Sequence, residues 1–380
     1  MSLPETSAKP RLLVAPLDWG LGHATRCIPI IRELLAEGAE VFLAGEGQTA
    51  TLLHTEFPDL PVLPLKGYRV QYAAGRWELM GKLLLQIPKI IDAMDEEHNW
   101  LQGAVVEHGF HGIISDNRYG LYSDTVPSVI ITHQLLVKSG GGEWIDRQLQ
   151  KLHYGYIQSF SECWVPDAAE GASLGGELSH PTALPTVPTH YIGPLSRFGP
   201  PHATAPRHLL IMLSGPEPQR TLLEESVCEQ LRSYADPVVL VRGLPGSTDN
   251  IFIASNVTVF NHLPAVDLEK AIREAHHVVA RTGYSTVMDL MRLQKRSILI
   301  PTPGQTEQEY LGQHLMKESL APCLSQEKFR LLPALDLATT FAYRLPEASS
   351  DAVLKLTIKR FLQTVRSNPS HPSSSSNPRL

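Results

Sequence analysis

His23 closes the run Asp18-Trp19-Gly20-Leu21-Gly22-His23, directly after an apolar stretch at 12–17. An imidazole titrates near neutrality without help, so a histidine here can take a proton from a hydroxyl at ordinary pH. Asp18, in the same run, and Asp116, closing the apolar stretch at 112–115, are the carboxylates able to orient His23 or to serve as the base themselves. Gly20 and Gly22 let main chain approach a ligand closely, and they are read as an acceptor-side loop. A capping or hydrogen-bonded structural histidine is the alternative.

Three further polar runs each follow an apolar stretch in the second half. In Arg281-Thr282-Gly283-Tyr284-Ser285-Thr286 a helix opens near Ser285, and its free amides with the Ser285 and Thr286 hydroxyls suit a phosphate. Asp289 falls about one turn on, where a carboxylate can accept from a pair of ribose hydroxyls. Gln308 and Glu309 are of the right types to read sugar hydroxyls. Ser214 and Gly215 open a possible phosphate-facing turn with Arg220 as counter-charge. Taken singly, each run reads equally as a helix cap or a solvated loop.

The elements that must position these residues alternate, short apolar runs with longer amphipathic ones, which means α/β with parallel sheets. Strands are expected at 12–17, 40–44, 112–115 and 128–132, with a helix at 24–37 stopped by Gly38 and interrupted or started near Pro29. The stretch 171–206 is crowded with proline and reads as linker. The rhythm then restarts, with strands at 208–213, 237–241, 257–260, 277–280 and 297–301. Two Rossmann-like domains facing across a cleft follow: 1–195, 196–345, then a helix at 346–366 expected to pack back on the first domain, and a low-complexity tail at 367–380 expected to be disordered. Ligands of such sheets lie at the carboxyl ends of the strands, where all four runs fall.

The order of these motifs resembles the GT-B glycosyltransferases, and among them glycosyltransferase family 28, whose member makes peptidoglycan lipid II. Arg281, Gly283 and Thr286 match that family's R-x-G-x-x-T-x-x-E signature, with Asp289 where the family has Glu. Gln308-Glu309-Tyr310 stands for its Gln-Gln-Tyr run, and Gly22-His23 for its Gly-His. The resemblance covers most of residues 11–320. It implies an inverting transfer of a hexose or N-acetylhexosamine from a UDP-sugar: His23 or Asp116 catalytic, the main chain at 261–263 (including Leu263) on the base, Asp289 on the ribose, and Ser214, Gly215, Arg281, Gly283, Ser285, Thr286, Gln308 and Glu309 around the rest of the donor. No cofactor and no metal are expected, helix amides stabilising the leaving group. The partners implied are a nucleotide-sugar donor and a lipid-linked or other glycan acceptor. A nucleotide-sugar 2-epimerase and a non-catalytic sensor share the fold; an NAD-dependent oxidoreductase would draw on Gly20, Gly22 and Glu46.

Composition narrows the field. Of 380 residues, 43% are hydrophobic and 19% charged, which excludes wholesale disorder, and a net charge of −6 argues against nucleic acid as partner. No run of about 18 apolar residues predicts a membrane span. The polar start of the chain is not a signal peptide, so a cytoplasmic protein is expected, peripheral on the inner face of the membrane in one reading. That reading rests on 77–91, apolar with lysines beside it, which could touch a membrane or line an acceptor groove but reads first as a buried core helix. Four scattered cysteines are read as reduced thiols, and 16 histidines show no metal-ligand spacing.

Overall fold

The computed structural model describes residues 9–68, 76–138, 141–347 and 350–368, with only the backbone for 76–87 and 143. The expected tail therefore lies outside the described residues beyond 368, as do the side chains that would decide the role of most of 77–91.

The first half is a parallel sheet alternating with helices: β1 Arg11–Pro16, α1 Leu21–Ala36, β2 Glu40–Gly45, α2 Gly47–Glu56, β3 Val62–Pro64, α3 Arg76–His108, β4 Gly112–Asp116, β5 Ser128–Ile131, α4 Glu143–Ile157, β6 Glu162–Val165 and β7 Thr189–Tyr191. Its seven strands run β3-β2-β1-β4-β5-β6-β7. The second half contains β8 His208–Met212, α5 Gln219–Leu231, β9 Val238–Val241, β10 Val257–Phe260, α6 Ala265–Arg273, β11 Ala275–Ala280, α7 Tyr284–Arg292, β12 Ser297–Leu299, α8 Thr306–Lys317, α9 Leu331–Thr340 and α10 Ala352–Ser367. Its five strands run β10-β9-β8-β11-β12, again all parallel. Strand order reverses between β1 and β4 in one sheet and between β8 and β11 in the other. Such a reversal opens a crevice at the strand ends, the binding position of doubly wound sheets.

The central strands are apolar throughout because helices cover both faces: Leu12, Leu13 and Val14 of β1 and Leu209, Leu210 and Ile211 of β8 are fully buried. Helix α1 lays Ala24, Cys27, Ile31 and Leu34 on the first sheet. It starts at Leu21, where Gly20 at φ +88° breaks the extended chain, so Gly22 lies inside the helix and not in a turn before it. Pro29 sits mid-helix and is neither start nor stop. Gly38, at φ +81°, follows the end as expected, its amide bonded to the Leu35 carbonyl.

One of these expectations needs adjustment. The proline-rich stretch is not linker from 171, because β7 pairs Cys163 with Thr189 and Val165 with Tyr191 and so extends the first sheet. Asp167 ties down what precedes it, accepting from the amides of Ala168, Leu174 and Gly175 and from the Ser173 hydroxyl. The C-terminal α10 crosses back to the first sheet. Phe361 meets Trp164 edge-on at 5.6 Å, and a Cβ on Gly112 would lie 2.9 Å from Val365 and 3.2 Å from Phe361, so only glycine admits this helix.

Candidate active site

Both strand-order reversals face the same cleft, and the residues at its centre come from both sheets. His23 and Arg26 stand three apart on α1, hence on one helix face. Asp116 ends β4, adjacent to β1, and is fully buried. Arg26 grips it from two nitrogens, Nε at 2.5 Å from Oδ2 and Nη2 on Oδ1. His23 Nδ1 lies 3.2 Å from the same Oδ1 and 2.8 Å from Arg26 Nη2. Arg26 Nη1 reaches His133 Nδ1 at 3.2 Å, just beyond β5. From the second domain, Glu307 meets His133 Nε2 at 2.9 Å, and Tyr284 stacks on the His133 ring at 4.0 Å and 5°.

Charges this deep must compensate one another. Burial alone would raise the Asp116 carboxyl, but Arg26 and His23 outweigh it and bring it to about 2. Asp116 is therefore ionised and held, an orienting group and a poor base. Burial, then the Arg26 charge, lowers His23 below 6.5, against the pull of Asp116. His23 is thus neutral at ordinary pH, the form able to accept a proton. Asp18, the other carboxylate considered, accepts from the Tyr68 amide at 3.2 Å and holds the 67–68 loop instead. Glu46 likewise accepts from the Gly67 amide, so it shapes the same loop.

The start of α7 meets the start of α1 across the cleft. Ser285 donates to the Gly22 carbonyl at 2.9 Å, and a Cβ on Gly22 would stand 2.9 Å from Ser285 Oγ. Glycine is required at 22 by this approach of the two domains. Two helix N-termini thereby point into one space, and each contributes positive potential there. Gly283, extended at the N-cap of α7, and half-buried Thr286 lie at this end. Gly215, at φ +102°, comes within reach of Thr302, whose hydroxyl would be 3.5 Å from a Cβ there. The hydroxyls of Thr282 and Thr302 are buried without a hydrogen-bond partner. Leu263 is buried beside an open cavity of about 400 Å³ lined by residues 244–248, Asn261 and His262.

Five residues expected around the donor are occupied elsewhere. Arg281 is 1% exposed and braces loops of its own domain, donating to the Gln219 carbonyl and Gln326 Oε1 at 2.7 Å each. Gln308 accepts from the Thr302 amide and Glu309 from the Gly304 amide, both at 2.9 Å, so they fix the turn after β12. Asp289 accepts from Ser196 Oγ at 2.6 Å and faces Arg197 at 3.7 Å, holding the interdomain linker where a ribose was expected. Arg220 is spent on Glu217 and Glu224. Sequence reasoning missed Arg26, His133, Tyr284 and Glu307. The spacing of Arg26 from His23 and the place of His133 after a strand were available signals; the pairing with Glu307 is tertiary and was not.

Burial raises Asp289 from 3.8 to about 6, only partly offset by Arg197 and Ser196. The folded protein then holds this proton more tightly than the unfolded chain, so stability falls as pH rises from 3.8 to about 6 and stays reduced above it. Asp289→Asn is expected to remove that loss, about 1–3 kcal/mol at pH 8. Thermal melts from pH 4 to 8 check this, and parallel curves for variant and wild type contradict it.

Residues 223–363 match the glycosyltransferase family 28 C-terminal domain. None of the curated proteins compared matches by sequence. Among solved structures, the chain is similar to the glycotransferase of kitacinnamycin (TM-score 0.63, 15% identity, 95% of this chain and 96% of that one). It is also similar to the glycosyltransferase VinC in complex with dTDP (0.54, 14%, 94% and 96%) and to Acinetobacter baumannii MurG (0.51, 14%, 93% and 95%). These likenesses establish the fold as GT-B, two Rossmann-like domains. With the family 28 domain in its second half, the chain is a glycosyltransferase of GT-B architecture that resembles family 28.

Proposed function

We propose that this enzyme transfers a hexose or N-acetylhexosamine, with inversion and without a metal, from a UDP-sugar to an acceptor hydroxyl held by the first domain. The observation that carries this is the His23–Asp116 pair, at the strand reversal of one domain, facing the N-terminus of α7 from the other. A single displacement needs one base and one stabilised leaving group. With Nδ1–H donated to Asp116, the Nε2 lone pair of His23 takes the acceptor proton as the oxygen attacks the anomeric carbon. The departing diphosphate gathers negative charge, which the first-turn amides of α7 and the Thr286 hydroxyl can meet, the Ser285 proton being committed to the Gly22 carbonyl. Ser214 and Gly215 would flank the same diphosphate.

The nucleobase would occupy the cavity at 244–248, with main chain at 261–263 and Leu263 against it. Leu244 already donates its amide to the Asn261 carbonyl at 2.7 Å, which ties these two loops together. The dTDP complex of the similar VinC supports a nucleoside diphosphate as the donor's handle. The acceptor, a lipid-linked or other glycan, would enter past Trp19, which is edge-on to Tyr68 at 6.3 Å. Among the described residues no helix is long and apolar enough to cross a membrane.

Calorimetry and product analysis with a panel of UDP-, dTDP- and GDP-sugars test the proposal; neither binding nor turnover with any of them overturns it. Within that test, Thr286→Val is expected to weaken donor binding by about 1–3 kcal/mol, since it leaves a diphosphate oxygen without its donor. Unchanged affinity removes Thr286 from the site.

A further inference from the structure

The geometry points to Glu307 as a positioning residue: through His133 and Arg26 it selects the tautomer of His23, and it does so only when the two domains are closed. The inference rests on the proposed role of His23 as base. It concerns residues that the donor and acceptor assignments leave unused.

The logic is one of donors and acceptors. A guanidinium has only donors, so the His133 nitrogen that faces Arg26 Nη1 at 3.2 Å must carry a lone pair. The proton of neutral His133 is then on Nε2, where Glu307 Oε1 accepts it at 2.9 Å. Tyr284 fixes the plane of the ring by stacking, and its own hydroxyl is anchored on the Pro166 carbonyl at 2.9 Å. Glu307 and Tyr284 belong to the second domain; His133, Arg26, Asp116 and His23 belong to the first. Domain closure thus brings the acceptor and the stacking face that hold His133 in one tautomer.

That tautomer matters two bonds away. His23 Nδ1 stands between Arg26 Nη2 at 2.8 Å and Asp116 Oδ1 at 3.2 Å. Donating to Asp116, it leaves Nε2 free to accept a proton. Accepting from Arg26, it carries its proton on Nε2 and is useless as a base. Arg26 Nη2 lies on Asp116 Oδ1 and also beside His23 Nδ1, so anchoring Nη1 on His133 fixes the plane of the guanidinium and holds its Nη2 protons on the carboxylate, which His23 then shares. Without Glu307, His133 is free to take the opposite tautomer, which sets N–H against N–H at Arg26. Arg26, no longer held at Nη1, can direct an Nη2 proton onto His23 Nδ1, and the fraction of His23 in the tautomer that acts as base falls.

Nitrogen NMR of protein labelled with ¹⁵N-histidine reads this directly, His23 and His133 being assigned with single glutamine replacements. The wild type is expected to show His133 protonated on Nε2 and His23 on Nδ1. Glu307→Ala is expected to move the His23 proton to Nε2 and to lower kcat for UDP release from whichever UDP-sugar the panel selects by about tenfold, with KM and donor affinity unchanged. Glu307→Gln, whose amide oxygen still accepts from Nε2–H, is expected to restore both. Identical His23 nitrogen shifts in wild type and Glu307→Ala overturn the inference. A His23 tautomer that follows Glu307 in an enzyme that binds and cleaves no nucleotide sugar supports this linkage while overturning the proposed function.

Discussion

His23→Ala is expected to lower kcat by about 10²–10⁴-fold, the usual contribution of a positioned general base, while donor affinity stays nearly intact. The donor loops belong to the other domain, and the His23 ring adds no charge that a diphosphate would feel while it is neutral. Its depressed pKa sets the pH dependence. Burial and the Arg26 charge favour the neutral ring, so kcat should fall only on acidification below 6.5 and be flat above it on that limb. The acid limb should vanish from the His23→Ala profile, because the group that titrates is gone. Transfer rates with the donor found by the panel, measured from pH 5 to 8, check both parts. Full turnover in the variant, with only a lower melting temperature, would return His23 to a structural role and leave the reaction without a base, since Asp116 is locked on Arg26 and Asp18 on the Tyr68 amide.

How much of this was legible in the sequence depends on whether local pattern or tertiary pairing decides. The strands at 12–17, 112–115 and 208–213 could be read because parallel strands buried on both faces leave continuous apolar runs. Gly38 announced the end of α1 because a left-handed residue after a helix is nearly always glycine. In contrast, β7 is three residues inside a proline-rich stretch, and only its ladder with β6 makes it a strand. The candidate site divides in the same way. His23 and Asp116 could be named because each ends a strand in a polar run. Asp289 and Arg281 were assigned to a ligand because their types suit one, yet the linker residues Ser196 and Arg197 and the carbonyl of Gln219 claimed them first. A charged side chain near a cleft is recruited by whichever partner buries it, and that partner is set by the packing of two domains. The same holds for Glu307, whose place opposite His133 exists only once the domains meet.

Asp116 is where catalysis and stability are coupled most tightly, so Asp116→Ala should damage both. Arg26 is 2% exposed, and its guanidinium loses the carboxylate it is bonded to when Asp116 goes. Removing one member of a buried ion pair typically costs about 3–5 kcal/mol, because the other charge is left uncompensated. Asp116→Asn separates the two effects. It keeps the shape and one acceptor oxygen for Arg26, so most of the fold should survive. It lacks the charge that makes Nδ1–H the favoured tautomer of His23 and that stabilises the imidazolium as the proton arrives. Activity is therefore expected to fall by about 10²–10⁴-fold in Asn as in Ala, whereas the melting temperature should fall in both and further in Ala, where Arg26 loses the acceptor as well as the counter-charge. The wild type carries a pH signature of the same pair. A carboxyl held down from 3.8 to about 2 contributes stability that is complete above 3.8 and is lost as pH falls toward about 2. Both variants should lose that acid limb, of about 2 kcal/mol, in denaturant titrations run between pH 2 and 5. An Asn variant with wild-type turnover would show that Asp116 serves Arg26 alone, and that His23 finds its orientation without it.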